Sequence, residues 1–268
     1  MRKAALNRVN ARTASRHGPS DAEDFYADAV IRDPVPYSAR LRELGPVVWL
    51  EQQQAYALTQ YEPVTAALRN AATFQSGHGV SLSPKVNALL TGSTLNSDAL
   101  EHDRTRIVTS APLLPGALHV VRERIETAAD QLVEILVARG EFDAIADFAQ
   151  YLPVTIVAEL VGLPNAGREN MLKWASATFN LFANDNARAS AAFADLRELR
   201  AFLDEYGTPE RLQPGGWAKR VFEVGPDAGL SIETCAQLMR DYINPSLDTT
   251  ISATGHAIEL FANNPDRS

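Results

Sequence analysis

Asn244-Pro245-Ser246-Leu247-Asp248-Thr249-Thr250 stands in the middle of an apolar run from about Leu230 to Phe261. A proline, an acid and two hydroxyls break what otherwise reads as a buried helix, and such local breaks tend to mark function. Pro245 has no N–H for the carbonyl of Asp241, and its ring crowds that carbonyl, so the pattern predicts a kink or a widened turn. Two readings follow. The freed carbonyl, Asp248 and Thr249 could line a polar opening for water or a small ligand. Alternatively, the helix is simply kinked, with Thr249 and Thr250 bonding back to the preceding turn.

Outward from this stretch, the chain reads as one mostly helical domain. Its 268 residues are 46% hydrophobic and 22% charged, ordinary values for a globular protein. The apolar runs are too short to span a bilayer without interruption, and the chain is expected to be cytoplasmic. A single cysteine excludes an intrachain disulfide. Net charge is −8, unevenly placed. Arg2, Lys3, Arg8, Arg12 and Arg16 make residues 1–20 a basic segment without acids, expected to be a disordered tail. The remainder carries −13, which argues against non-specific nucleic-acid binding.

In chain order, Ser20-Asp21 looks like the cap of a short helix reaching Val30. Asp33-Pro34-Val35-Pro36 reads as an extended link before a helix from Ser38 to Leu44. Val47–Leu50 and Ala55–Thr59 flank a polar Glu51–Gln54 and predict a hairpin. A helix follows from Glu62. Residues 79–99 form a long polar loop of the kind that often covers a binding site. Helices are expected at 100–110 and 117–139, the second ended by Gly140. A short strand is expected at Phe142-Asp143-Ala144-Ile145, then helices at 148–161, 168–183, 187–206 and 217–224. Ser231 caps the last helix, which runs to about Asn263.

Several of these stretches, in this order, resemble the amino-terminal part of a soluble, bacterial-type cytochrome P450. Tyr61-Glu62-Pro63-Val64 through Phe74-Gln75-Ser76 resembles the family's strand-to-helix entry. Leu100 to Arg106 resembles its third major helix. Ser246-Leu247-Asp248-Thr249-Thr250 is similar to its oxygen-activation motif, and Asn263-Asn264-Pro265-Asp266 to the end of that helix. Pro245 and Ser246 depart from the small Ala or Gly that many members carry. The resemblance implies a mainly α, P450-like fold with a small β element near the start, a haem cofactor and monooxygenase chemistry. It implies Asp248 and Thr249 as the proton-relay and oxygen-contact pair, and His102 and Arg106 as ligands of the haem propionates. It further implies a small hydrophobic or aromatic substrate met by the 79–97 loop and the loop near Asn184, with electrons from ferredoxin and ferredoxin reductase.

The same resemblance marks what residues 21–268 are expected to lack: the Glu-x-x-Arg helix and the cysteine loop that gives the haem its thiolate. Cys235 is fourteen residues before Thr249, about 20 Å along a helix, and reads as a buried small hydrophobe. His78, His119 and His256 show no metal-ligand spacing, so no metal site is expected among side chains. A fold incomplete at its C-terminus would leave apolar surface on the last helix and be inactive. The alternatives are a non-catalytic ligand- or partner-binding remnant and an unrelated helical interaction module.

Overall fold

The computed structural model describes residues 18–183 and 186–267, which fall into two compact units divided between Phe74 and Gln75. The basic segment up to His17, and Asn184 and Asp185 of the expected entrance loop, lie outside the described residues.

The first unit holds β1 (Ser20–Asp21), α1 (Asp28–Arg32), α2 (Pro34–Leu44), β2 (Val47–Leu50), β3 (Ala55–Leu58) and α3 (Tyr61–Leu68). β2 and β3 form the expected hairpin, in register from Val47 opposite Leu58 to Leu50 opposite Ala55. Ser20-Asp21 is not a helix cap but a short parallel strand beside β2. The reason lies nineteen residues away: Arg40 donates to both carboxylate oxygens of Asp21, with Nη2 to Oδ2 at 3.0 Å. α2 begins at Pro34 rather than beyond Pro36. Both prolines sit in its first turn, where a missing N–H breaks no helical bond. Val30, Tyr37, Leu41, Val48 and Leu50 make this unit's core.

The second unit is helical: α4 (Pro84–Leu89), α5 (Ala99–Ser110), α6 (Pro115–Arg139), α7 (Ala158–Val161), α8 (Met171–Asn180), α9 (Ala187–Tyr206), α10 (Trp217–Val224) and α11 (Ile232–Asn263). The long polar loop contains α4. The expected strand at Phe142 to Ile145 does not form. Asp143 Oδ1 instead accepts the N–H groups of Ile145 and Ala146 and starts a π-helical turn, Ala144–Ala149, followed by another at Pro153–Val157. Gly140 ends α6 with φ of 81°, a conformation that a Cβ would strain.

Ala144–Val161 is, by length and composition, apolar enough to cross a membrane. Here its π-helical turns and α7 pack against α11.

α11 is the axis of the second core. Cys235, Leu238 and Leu247 are fully buried, and Met239, Tyr242 and Ile243 nearly so, among Trp174, Phe202 and Val221. Ser231 Oγ accepts the Thr234 N–H at its start, as the sequence predicts. The helix is unbroken through Pro245. Tertiary burial of the flanking turns offsets the lost backbone bond. The far end is different: Leu260 and Phe261 are 64% and 54% exposed.

Candidate functional site

Asp248 is half-buried on α11, and Thr249 and Thr250 are exposed. The Thr249 hydroxyl donates to the Pro245 carbonyl at 2.5 Å, a back-bond within its own helix. On α5, His102 is half-buried and Arg106 exposed, while Thr105, Val108 and Thr109 form the buried side. His102 Nδ1 lies 3.6 Å from Asp103 Oδ1, an ion pair only when the imidazole is protonated. Arg106 makes no ion pair within 4 Å among the described residues.

α5 and α11 are joined where Tyr242 Oη donates to the Thr109 carbonyl at 2.8 Å, between buried groups. Among the described residues, no hydrogen bond or ion pair connects Asp248 or Thr249 with His102 or Arg106. The structure therefore packs together the two helices that carry the predicted residues, and leaves the two pairs without direct contact.

Two neighbouring charges on α11 went unnoticed in the sequence. The Asp241 carboxylate accepts the Thr94 N–H at 2.9 Å across 147 positions. Burial raises its pKa, opposed by that hydrogen bond and by Arg106. Arg240 faces a cavity of about 350 Å³ lined also by Val86, Leu89 and Leu90, by Phe182 and by Leu199. Arg240 Nη1 donates to Gln237 Oε1 at 2.9 Å, but its Nε is buried without a hydrogen-bond partner among the described residues. Burial first, then Arg200, draw the guanidinium's pKa down from its usual value. Arg197 and Arg200 also line the cavity, and among the described residues no acid does. The signal was a charged dipeptide inside an apolar run. Its meaning depended on residues 86–94, which the sequence places far away.

No protein-family profile matches the chain. Individual proteins do. The chain is 33% identical to cytochrome P450 CYP199A2 of Rhodopseudomonas palustris over 265 residues, which is 95% of the chain and 63% of that relative. It therefore spans less than two thirds of that relative's length. Its structure is similar to that of P450BioI, solved in complex with a fatty-acyl carrier protein, with a TM-score of 0.73 over 90% of this chain and 65% of that one at 17% identity. Epothilone B-bound P450epoK gives a TM-score of 0.68 at 21% identity, covering 91% of this chain and 65% of that one.

Proposed function

We infer, from a chain whose sequence and fold are those of bacterial cytochromes P450, that it supplies the oxygen-activating side of a haem monooxygenase domain. The reaction proposed for the complete domain inserts one atom of dioxygen into a small organic molecule in the cytoplasm. Ferredoxin and its reductase would bring the electrons. The observation that carries this reading is the junction of α5 and α11 at Tyr242 and Thr109. Arg106 lies one turn from it on α5, and Asp248-Thr249 two turns from it on α11.

Haem, when bound, supplies the iron at which dioxygen is activated. His102 and Arg106, four residues apart and so on one helix face, would hold its propionates. Breaking the bond to the Pro245 carbonyl frees Thr249 Oγ1 to deliver a proton. The half-buried Asp248 carboxylate, open to solvent on one side, would replenish it. The chain's one cysteine would not supply the thiolate that holds the haem. Cys235 is fully buried, burial pushes its thiol pKa up, and it lies about 20 Å along the helix from Thr249. These 268 residues by themselves are therefore proposed to be inactive as a monooxygenase.

The cavity under α4 is the proposed substrate site. Its apolar walls suit an aliphatic or aromatic body, and the Arg240 guanidinium in its lining suits an acid group at one end. The same cavity supports a second reading for these residues alone, ligand binding without chemistry.

Haem titration of the 268-residue chain tests the assignment. Arg106→Gln should weaken haem binding about tenfold, the value of one charge-assisted hydrogen bond. Haem affinity indifferent to both Arg106→Gln and His102→Gln would sink the propionate assignment. A thiolate-type band in the reduced, carbon monoxide-treated protein would overturn the claim about ligation.

A further inference from the structure

A second cavity, of about 430 Å³, is polar where the first is apolar. Arg124 from α6, Glu159 from α7, Asn165 and Arg168 from the following turn, and Gly216-Trp217 at the start of α10 line it. Glu159 is shared: Arg124 Nη2 donates to its Oε2 at 2.5 Å, and Arg168 Nη1 lies 3.6 Å from its Oε1. The second distance is too long for a hydrogen bond. The Arg168 side chain is only 19% exposed, and its Nε is buried with no hydrogen-bond partner among the described residues. A cationic donor without an acceptor is costly, and a shift of the side chain toward an acceptor in the cavity would relieve it.

The backbone adds to the same field. No side chain caps the N-terminus of α10, whose N-cap is Gly216. Uncapped N–H groups and the helix dipole favour an anion there. A Cβ on Gly216 would come within 2.8 Å of Gly162 Cα and of the Val161 carbonyl, so only glycine lets the two loops close this end of the cavity. Two guanidiniums, one carboxylate and a helix N-terminus leave roughly one and a half positive charges. A phosphate monoester carries about that much negative charge near neutral pH.

We propose that this cavity binds a phosphate group, held between Arg124, Arg168 and the first turn of α10. The site is independent of haem and of the monooxygenase reading. Arg168 lines the cavity with a guanidinium that makes no hydrogen bond to Glu159 and so can turn an N–H to the oxygens, and Arg124 divides its charge between Glu159 and the ligand. The remaining volume, beside Trp217, accommodates the organic part of a phosphate ester.

The test is titration of inorganic phosphate into the 268-residue chain, with chloride balancing ionic strength, followed by tryptophan fluorescence and calorimetry. Saturable binding with a Kd on the order of 1 mM is expected for so small a ligand. Arg168→Gln should weaken it at least tenfold. Glu159→Gln should tighten it several-fold, because a competing carboxylate is removed. Far-UV circular dichroism without phosphate checks that each variant is folded, and Glu159→Gln decides the matter if Arg168→Gln is not. A response no different from chloride, an affinity unmoved by Arg168→Gln, or weaker binding by Glu159→Gln would each overturn the proposal.

Discussion

The Tyr242 hydroxyl on α11 donates to the Thr109 carbonyl near the end of α5, at 2.8 Å and across 133 positions. This bond fixes the two helices that carry the predicted haem-side residues. Tyr242→Phe removes the donor and leaves a buried carbonyl unpaired, which should cost about 1–3 kcal/mol in denaturant unfolding. Burial raises the phenol's pKa so far that it stays protonated across the working range, so the loss should not vary between pH 5 and 9. A stability unchanged by the substitution would show that water replaces the bond.

Asp241 gives a pH dependence of definite sign. Its folded pKa is raised, chiefly by burial, so the folded state holds its proton more tightly than the unfolded chain does. Its contribution to stability therefore falls as pH rises from the ordinary aspartate value through the raised one. Asp241→Asn can still accept the Thr94 N–H and carries no charge. Urea midpoints at pH 4 and pH 7 should show the variant gaining stability relative to the parent at the higher pH. The opposite result would mean that attraction to Arg106 outweighs desolvation.

Asp98 should behave in the reverse way. Its carboxylate accepts the N–H groups of Ser76 at 3.0 Å and Gly77 at 2.6 Å, and these two bonds hold its pKa below the usual value. The stabilisation is present above the unfolded pKa and is lost as pH falls through the folded one. Asp98→Ala should speed proteolytic cleavage near residues 76–79 at pH 7 and make no difference at pH 2. Equal cleavage of parent and variant at pH 7 would refute the anchoring role.

Arg240 tests the substrate cavity. Octanoate should bind more tightly than octanol, and Arg240→Leu should remove about tenfold of affinity from the acid while sparing the alcohol. Equilibrium dialysis measures both. If the acid and the alcohol lose affinity equally, the guanidinium shapes the cavity and does not read charge.

Much of the helical order was legible from the chain. The polar break between Val47–Leu50 and Ala55–Leu58, Gly140 after α6 and Ser231 before α11 each act through near neighbours, so local chemistry sufficed. The failures share a cause. Ser20-Asp21 looked like a cap because Arg40, which pulls it into a strand, is nineteen positions away. Phe142 to Ile145 looked like a strand because β-branched and aromatic residues favour one, whereas Asp143 spends its carboxylate on the next two N–H groups.

The sequence by itself determined the long apolar helix, the Asp248-Thr249 pair interrupting it, and the helical spacing of His102 and Arg106. Those are properties of period and composition, which a chain carries before it folds. Only the tertiary structure decided that Asp241 meets Thr94, that Arg240 faces an apolar cavity, and that Arg124 and Arg168 share one glutamate. Charge, burial and hydrogen bonding at those residues come from partners distant in sequence, and packing alone brings them together.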